Sequence, residues 1–357
     1  MLRCIELARR GAGHVAPNPQ VGAVLVHSGR IIGEGYHAQY GQAHAEVNCI
    51  NSVAAADQKL VAASTIYVSL EPCAHFGKTP PCSDLIIQKK IPKAVIGCRD
   101  PFAEVNGKGI EKLEKAGVEV ITGVLEAECK ELNKRFFHFH TRHRPYLILK
   151  WAQTANGKIA GSSNERLLIS NEYTNRLVHQ WRSEEAAILV GTNTALKDDP
   201  SLNNRLWTGH QPTRLVLDRN LRLPSTLKLF DQQQKTIVFN VLKQEEDGNI
   251  SYHRLQPDKE ITTQILDACY QLNIQSILVE GGTELLQSFI NANQWNEARI
   301  ITHKTLTVEN GLDAPVFQQR HPSKSEKIST DTIRYYTNQP TNKPTTTPNP
   351  KPQTPNP

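Results

Sequence analysis

The sequence predicts two layered α/β domains in series, residues 1–143 and 144–336, followed by a disordered tail over residues 337–357. Three observations carry this. At roughly 150 residues per domain, a chain of 357 residues holds two domains and a remainder. Short β-branched runs alternate with amphipathic helical stretches through both halves, the pattern of sheets covered by helices. The last stretch, TNQPTNKPTTTPNPKPQTPNP, holds almost no apolar side chain. It cannot bury enough surface to offset its chain entropy.

The first half reads element by element. LRCIELARRG is an amphipathic helix that stops at Gly11, and VGAVLVHSGRIIGEGYH is a hairpin turning at HSGR. HAEVNCINSVAAA is a helix and STIYVSLEPC a strand. CSDLIIQKK is a short helix and KAVIGCRD a buried strand. GIEKLEKAGVEVITGV is a helix, a Gly stop and a further strand. EAECKELNKRFFHFHTR is a basic exit helix, and a change to Pro145 and a strand marks the boundary near His143. Strands then recur at RPYLILKWAQ, AAILVG, TRLVLD, KTIVFN, SILVEGG and EARIITHK. Helices lie between several of them, at NEYTNRLVHQWRSEE, ITTQILDACYQLN and GTELLQSFINAN.

Hydrophobic residues make up 38% of the chain, and no run of about 18 apolar residues appears, so no membrane-spanning helix is expected. The N-terminus lacks an apolar stretch followed by a small-residue cleavage site, which makes a cytoplasmic location the default. Seven cysteines, an odd number scattered along the chain, argue against a disulfide framework. The net charge of +6 comes from Lys and Arg spread along the chain. That balance suits phosphorylated small molecules as well as nucleic acid.

The chemistry of the first half lies in HAEVNCI and EPCAHFGKTPPC. A catalytic zinc ion takes three protein ligands and keeps a fourth position for water. His44, Cys73 and Cys82 supply one imidazole and two thiolates, and Cys82 opens a helix, whose positive end favours a thiolate. Glu46, two residues past the His, can shuttle protons without binding the metal. H-x-E followed by P-C and a second Cys is the signature of zinc nucleobase deaminases, with a hydroxide attacking an amino-bearing ring carbon. The loop between the cysteines is longer than in the short P-C-x-x-C form. His75 within that loop is an alternative ligand or a pocket-lining residue.

In order and spacing, NPQVGAVLV, HAEVNCI, SLEPCAHFGKTPPC and RDPF resemble the bifunctional deaminase–reductase family of riboflavin biosynthesis. The resemblance implies a cytidine-deaminase-like three-layer α/β/α domain acting on a diaminopyrimidinone ribotide, with Asn18, His37, Lys78 and Thr79 contacting that substrate. LKWAQTANGKIA, AILVGTNTALKDDPSLNNR, RLVLD and VEGGTELL resemble the reductase half of the same family. That implies a dihydrofolate-reductase-like α/β domain using NADPH to reduce the ribosyl group to a ribityl chain. Ala152, Thr194, Asp198 and the segment Gly282, Thr283, Glu284, Leu285, Leu286, Gln287 and Ser288 would meet NADPH. Lys150, Arg182, Leu202, Arg205 and Glu280 would meet the substrate, with two Arg side chains suiting its phosphate.

From the residues alone, SILVEGGTELLQSF is a strand, two glycines and a helix start, where backbone N–H groups can hold a phosphate. It is not the G-x-G-x-x-G of a Rossmann domain. Arg219, just after RLVLD, is the expected contact to the 2′-phosphate of NADPH. The chain departs from the family at Asn156-Gly157 in place of Asp-Gly, at Leu168-Ile169-Ser170 in place of W-I-T, and at Arg166. THKTLTVENGLDAP also lacks the family's P-K-x-x-G-G. The expected partner is a small phosphorylated pyrimidine, with no nucleic acid and no membrane, and the resemblance suggests a homo-oligomer. Competing readings are a deaminase with a degenerate reductase half, a tRNA or nucleobase deaminase using the basic charge, and a zinc-stabilised interaction module.

Overall fold

The computed structural model describes residues 1–76, 80–162, 167–319 and 321–338. The expected substrate contacts Lys78 and Thr79, the departure at Arg166 and the tail from residue 339 onward lie outside them.

The first half builds a five-stranded sheet from β1 (Gly22–His27), β2 (Arg30–Tyr36), β3 (Thr65–Leu70), β4 (Lys93–Cys98) and β5 (Glu119–Thr122), in the order β2-β1-β3-β4-β5. β1 is antiparallel to β2 and β3, while β3, β4 and β5 run parallel. The hairpin turns at Ser28 and Gly29, both at positive φ, the backbone that a two-residue turn between twisted strands requires. Alternation along the strands then splits the side chains between two faces. Ala23, Leu25, Ile66 and Val68 pack on α2 (Ala45–Asn51), α3 (Cys82–Gln88) and α4 (Lys108–Lys115). Val24 packs on α1 (Leu2–Arg9), and Leu70 and Cys98 lie with α1 and α5 (Glu126–Leu132). The result is a three-layer α/β/α unit.

Two glycines on β2 bring α2 almost onto the strand. A Cβ on Gly35 would sit 2.2 Å from the Cys49 nitrogen and 2.5 Å from the Ala45 oxygen. This approach fixes the start of α2, where His44 is the N-cap. Two helices differ from expectation. α2 ends at Asn51, and Ala55–Ala63 form a 3-10 stretch instead of its continuation. The basic exit helix is broken into α5 and α6 (Lys134–Arg142) at Asn133. The Asn133 side chain accepts the Gln20 N–H at 2.8 Å and donates to the Gln20 carbonyl at 2.9 Å. That two-way pairing holds its backbone at φ −110°, outside the helical range.

The second half forms a ten-stranded sheet in the order β11-β12-β10-β9-β8-β13-β6-β14-β17-β16. Its strands are β6 (Tyr146–Gln153), β8 (Ala187–Gly191), β9 (Thr213–Leu217), β10 (Thr236–Asn240), β11 (Glu245–Asp247), β12 (Ile250–Arg254), β13 (Ser276–Glu280), β14 (Glu297–His303), β16 (Lys324–Ile328) and β17 (Asp331–Thr337). From β12 to β14 the pairs are parallel, and β11, β16 and β17 add antiparallel edges. α9 (Ile261–Gln271) and α10 (Thr283–Asn291) cover one face over Leu149, Leu189 and Val279. α7 (Glu172–Glu184) and α8 (Thr192–Asp198) cover the other over Ile148, Ile188 and Leu278. Burial on both faces explains the unbroken apolar runs of these strands. A separate ribbon pairs β7 (Lys158–Gly161) with β15 (Gly311–Asp313). Among the described residues no helix is long and apolar enough to cross a membrane.

The halves meet through buried polar contacts. Arg135 on α6 makes a bidentate pair with Glu185, whose side chain is fully buried. Lys134 reaches Glu297 at 3.1 Å, and Gln275 donates to the Pro17 carbonyl at 2.6 Å.

A Gly35→Ala variant should lose about 3 kcal/mol, because the added methyl meets backbone that cannot move aside. Urea unfolding followed by far-UV circular dichroism measures this. Gly29→Ala, where a Cβ meets nothing within 4 Å, should cost only about 1 kcal/mol through its positive φ.

Candidate active sites

The helix starts and the Cys loop converge on one point. The His44 Nδ1 lies 3.6 Å from Cys73 Sγ and 3.4 Å from Cys82 Sγ. Tetrahedral zinc, with Zn–S of about 2.3 Å and Zn–N of about 2.0 Å, separates such ligands by about 3.6 Å. The three donor atoms lie within 4.8 Å of one another and are the one such group among the described residues. They therefore fit a zinc ion with one open position. Cys82 is the first residue of α3, and its N–H donates to Cys73 Sγ at 3.3 Å. Cys73 is held below the ordinary thiol range, chiefly by its hydrogen bond with Cys82. His75 lies outside the group; its ring meets Phe102 edge-on at 6.3 Å.

Glu46 stands in the first turn of α2 and is 3% exposed. Burial pushes its carboxyl up to about 7, so it can both take and give a proton near neutrality. His37 is buried against the site, its ring 5.3 Å from that of His44. The Ala43 carbonyl, 3.1 Å from His37 Nδ1, can only accept, so Nδ1 carries the proton. Nε2 then accepts from the Asn18 amide at 3.2 Å. Burial keeps His37 below the usual imidazole range. Asn18, His37, His44 and Glu46 are thus gathered around one point.

A residue that the sequence reading passed over holds this site together. Glu71, buried at the end of β3, accepts four backbone N–H groups. They come from Asp100 (3.2 Å), Gly107 (3.0 Å), Gly109 (3.0 Å) and Ile110 (3.3 Å). The latter two lie in the first turn of α4, where amides lack helical partners. Gly109 is needed there, since a Cβ would lie 1.9 Å from the Pro72 oxygen. The chain leaving Glu71 is therefore anchored two residues before Cys73. Its position directly before Pro72-Cys73 is the one sequence signal that could have marked it.

In the second half, a cavity of about 710 Å³ runs between the ends of β8 and β9 and the start of α10. Gly281 and Gly282 take φ of +81° and +74°, and a Cβ on Gly282 would lie 3.0 Å from Thr194 Oγ1. Of the residues expected at NADPH, Thr194, Gly282, Thr283, Glu284, Leu285 and Ser288 line this cavity. Leu286 is instead fully buried in the core under α10, and Gln287 exchanges hydrogen bonds with Val316. Ala152 lies on β6 and Asp198 ends α8, and neither lines the cavity. The ribbon reaches the same opening through Leu312. Asn156, where the family has Asp, donates to the Val308 carbonyl at 2.8 Å, a bond no carboxylate could make. Leu168 is 75% exposed.

The expected substrate residues of this half form an ion cluster. Arg182 donates to both Glu280 oxygens at 2.8 Å, and Lys150 Nζ lies 3.5 Å from Glu280. Register places Lys150 beside Glu280 on neighbouring strands, well inside β6. Burial would raise the Glu280 carboxyl, but Arg182 and Lys150 hold it far below the carboxylate range. Arg182 also donates to the Asn203 carbonyl at 3.2 Å, and the Arg205 N–H donates to His179 Nδ1 at 3.2 Å. Leu202 is buried at φ +44° in the same loop. Neither His179 nor the loop's other clamp, Gln211 on the Asn204 backbone, was anticipated from the sequence.

Two outcomes follow from these charges. A Glu71→Gln variant keeps the shape but loses the charge on four amides. Its stability should fall by about 2 kcal/mol in urea titration, and its zinc affinity, read by chelator competition, by about tenfold. Glu280 is depressed in the fold, so its contribution is present above its ordinary value of 4.5 and is lost as pH falls through that region. Wild-type protein should therefore lose stability from about pH 5 down to about pH 2 more steeply than Glu280→Gln, measured by denaturant midpoints across that range.

Comparison with known proteins matches both halves. The cytidine and deoxycytidylate deaminase zinc-binding region matches residues 1–98, and the RibD C-terminal domain matches residues 145–323. The riboflavin biosynthesis protein RibD of Aquifex aeolicus is 41% identical over 295 residues, covering 81% of this chain and 82% of that protein. RibD of Escherichia coli is 37% identical over 260 residues, covering 72% and 69%. A solved diaminohydroxyphosphoribosylaminopyrimidine deaminase/5-amino-6-(5-phosphoribosylamino)uracil reductase from Thermotoga maritima superposes with a TM-score of 0.84 at 37% identity, covering 94% of this chain and 96% of that one. Acinetobacter baumannii RibD gives a TM-score of 0.85 at 30% identity and the same coverage. With its two halves matched in one chain and relatives 37–41% identical over most of its length, the chain belongs to the RibD family of riboflavin biosynthesis.

Proposed function

We propose that the chain catalyses two steps of riboflavin biosynthesis on one small phosphorylated pyrimidine. The first is hydrolytic deamination of a diaminopyrimidinone ribotide, and the second is NADPH-dependent reduction of its ribosyl group to ribityl. The observation that carries this reading is the zinc-spaced trio His44, Cys73 and Cys82 with Glu46 buried beside it. On this reading residues 1–143 are the deaminase domain and 144–336 the reductase domain, a division that the two separate sheets support.

Zinc, when bound, lets a coordinated water ionise near neutral pH. Glu46 takes the proton from the attacking water and returns it to the departing amine, which leaves as ammonia. Its raised carboxyl suits both directions of transfer. Asn18 and His37, hydrogen-bonded to each other, present a fixed polar edge to the ring. NADPH, when bound, supplies the hydride to the sugar. Arg205 and Arg182 bring positive charge to the substrate phosphate, while Glu280 keeps Arg182 in place. Lys150 and Asp198 position or protonate the sugar. The spread of basic residues and a second half built around a cofactor cavity favour a small substrate over RNA. The family resemblance supports a homo-oligomer acting in the cytoplasm.

A mass-spectrometric product assay with the ribotide tests both halves. A deaminated product should form without NADPH, and a deaminated, reduced product with it. Glu46→Gln should keep its zinc and lose at least about a hundredfold in deamination rate. If that variant deaminates at full rate, the proton-transfer role is wrong. If NADPH changes nothing for the wild type, the chain is a deaminase with a degenerate second half.

A further inference from the structure

The segment that presents Asn18 has no core anchor of its own. It runs between Val15, which is buried, and the start of β1, and none of residues 16–20 is buried. Such a stretch keeps its position through hydrogen bonds rather than packing. The Asn18 N–H donates to the Val15 carbonyl at 2.8 Å, a local turn that does not locate the residue relative to the zinc trio. Two side chains from outside the segment grip its backbone. On one flank, Asn133 exchanges two hydrogen bonds with Gln20. On the other, Gln275 Nε2 donates to the Pro17 carbonyl at 2.6 Å, immediately before Asn18.

Gln275 belongs to the second half and is rigidly placed there. α9 closes on Asn273, in the left-handed region at φ +56°. The Asn273 N–H donates to the Tyr270 carbonyl at 3.0 Å and the Ile274 N–H to the Cys269 carbonyl at 2.9 Å, a pairing that ends a helix sharply. This delivers Gln275 to the foot of β13, where its carbonyl accepts the Tyr146 N–H at 2.9 Å and the residue is 7% exposed. A fixed donor thus meets a loosely held carbonyl. A cavity of about 240 Å³ between the halves is lined by Pro17, Asn18 and Gln275, so the segment has room to shift once that bond is gone. The bond lies one residue from the first site. The Asn18 amide donates to His37 Nε2 at 3.2 Å, and the His37 ring lies 5.3 Å from that of the zinc ligand His44.

We propose that Gln275, in the second half, is a positioning residue for the deamination carried out in the first. It fixes the Pro17 carbonyl, and through it the Asn18 amide that meets the pyrimidine ring. The proposal rests on the reading of Asn18 and His37 as the polar edge that receives that ring. It makes the geometry of the first site depend on a neutral donor from the other half, separate from the ion pairs at the seam. Gln275 does not line the cofactor cavity, so the second site should not feel its loss directly.

The test is steady-state deamination of the ribotide by full-length variants, with reduction of the deaminated product as the control. Gln275→Met keeps the length of the side chain and removes the donor. Its deamination KM should rise about fivefold or more with kcat within about twofold of wild type, the signature of lost binding rather than lost chemistry. Its reduction constants should stay within about twofold, which also shows that the variant is folded. Gln275→His carries a ring N–H at similar reach and should recover most of the KM. Asn18→Ala should raise the same KM, and adding Gln275→Met to it should raise KM no further, because both act through one contact. A Gln275→Met chain with a wild-type deamination KM overturns the proposal. So does one that loses both activities alike, or a double variant whose effects add. A wild type that does not deaminate the ribotide overturns the reading of the first site and the proposal with it.

Discussion

A carboxylate taken out of water must be met by donors or cations, and this requirement sets the geometry of the chain at three points. Glu71 is met by four backbone amides, and doing so ties the zinc loop to the start of α4. Glu280 is met by Arg182 and Lys150, which joins two strands and a helix. Glu185 is met by Arg135 from the other half of the molecule. Each solution is long-range, so each converts a local cost into a tertiary constraint.

Glu46 shows the opposite case. It is as deeply buried as the others, yet no Arg or Lys reaches it among the described residues, and its carboxyl rises to about 7. Compensating Glu71, Glu185 and Glu280 while leaving Glu46 without a cation separates positioning from proton transfer by environment. The same separation holds in the second half. There Glu280 is compensated by Arg182 and Lys150, while the rim of the cavity carries the exposed cations Arg219, Arg222 and Lys259.

The parts legible in the sequence were those written in local chemistry. His44, Cys73 and Cys82 announce themselves by residue type and by placement at helix starts, and the apolar runs of β6, β8 and β13 mark a sheet buried on both faces. What was not legible depends on partners far along the chain. The break at Asn133 is caused by Gln20, and the role of Glu71 by amides near residue 107. Strands such as β16, with KSEKI, sit at a sheet edge where one charged face meets water and the apolar signal fades. Leu286 follows its helix rather than its motif: α10 turns it into the core, away from the cavity that its neighbours Leu285 and Ser288 line.

The ion pairs between the halves are not equal. Arg135 and Lys134 sit on α6, while Glu185 and Glu297 belong to the larger sheet's side. If the halves were parted, Lys134 would keep Glu131 at 2.8 Å and Glu297 would keep Arg299 at 2.7 Å, each within its own half. Separating the halves would instead cost Arg135 its bidentate partner and leave Glu185 only Arg299, at 3.9 Å.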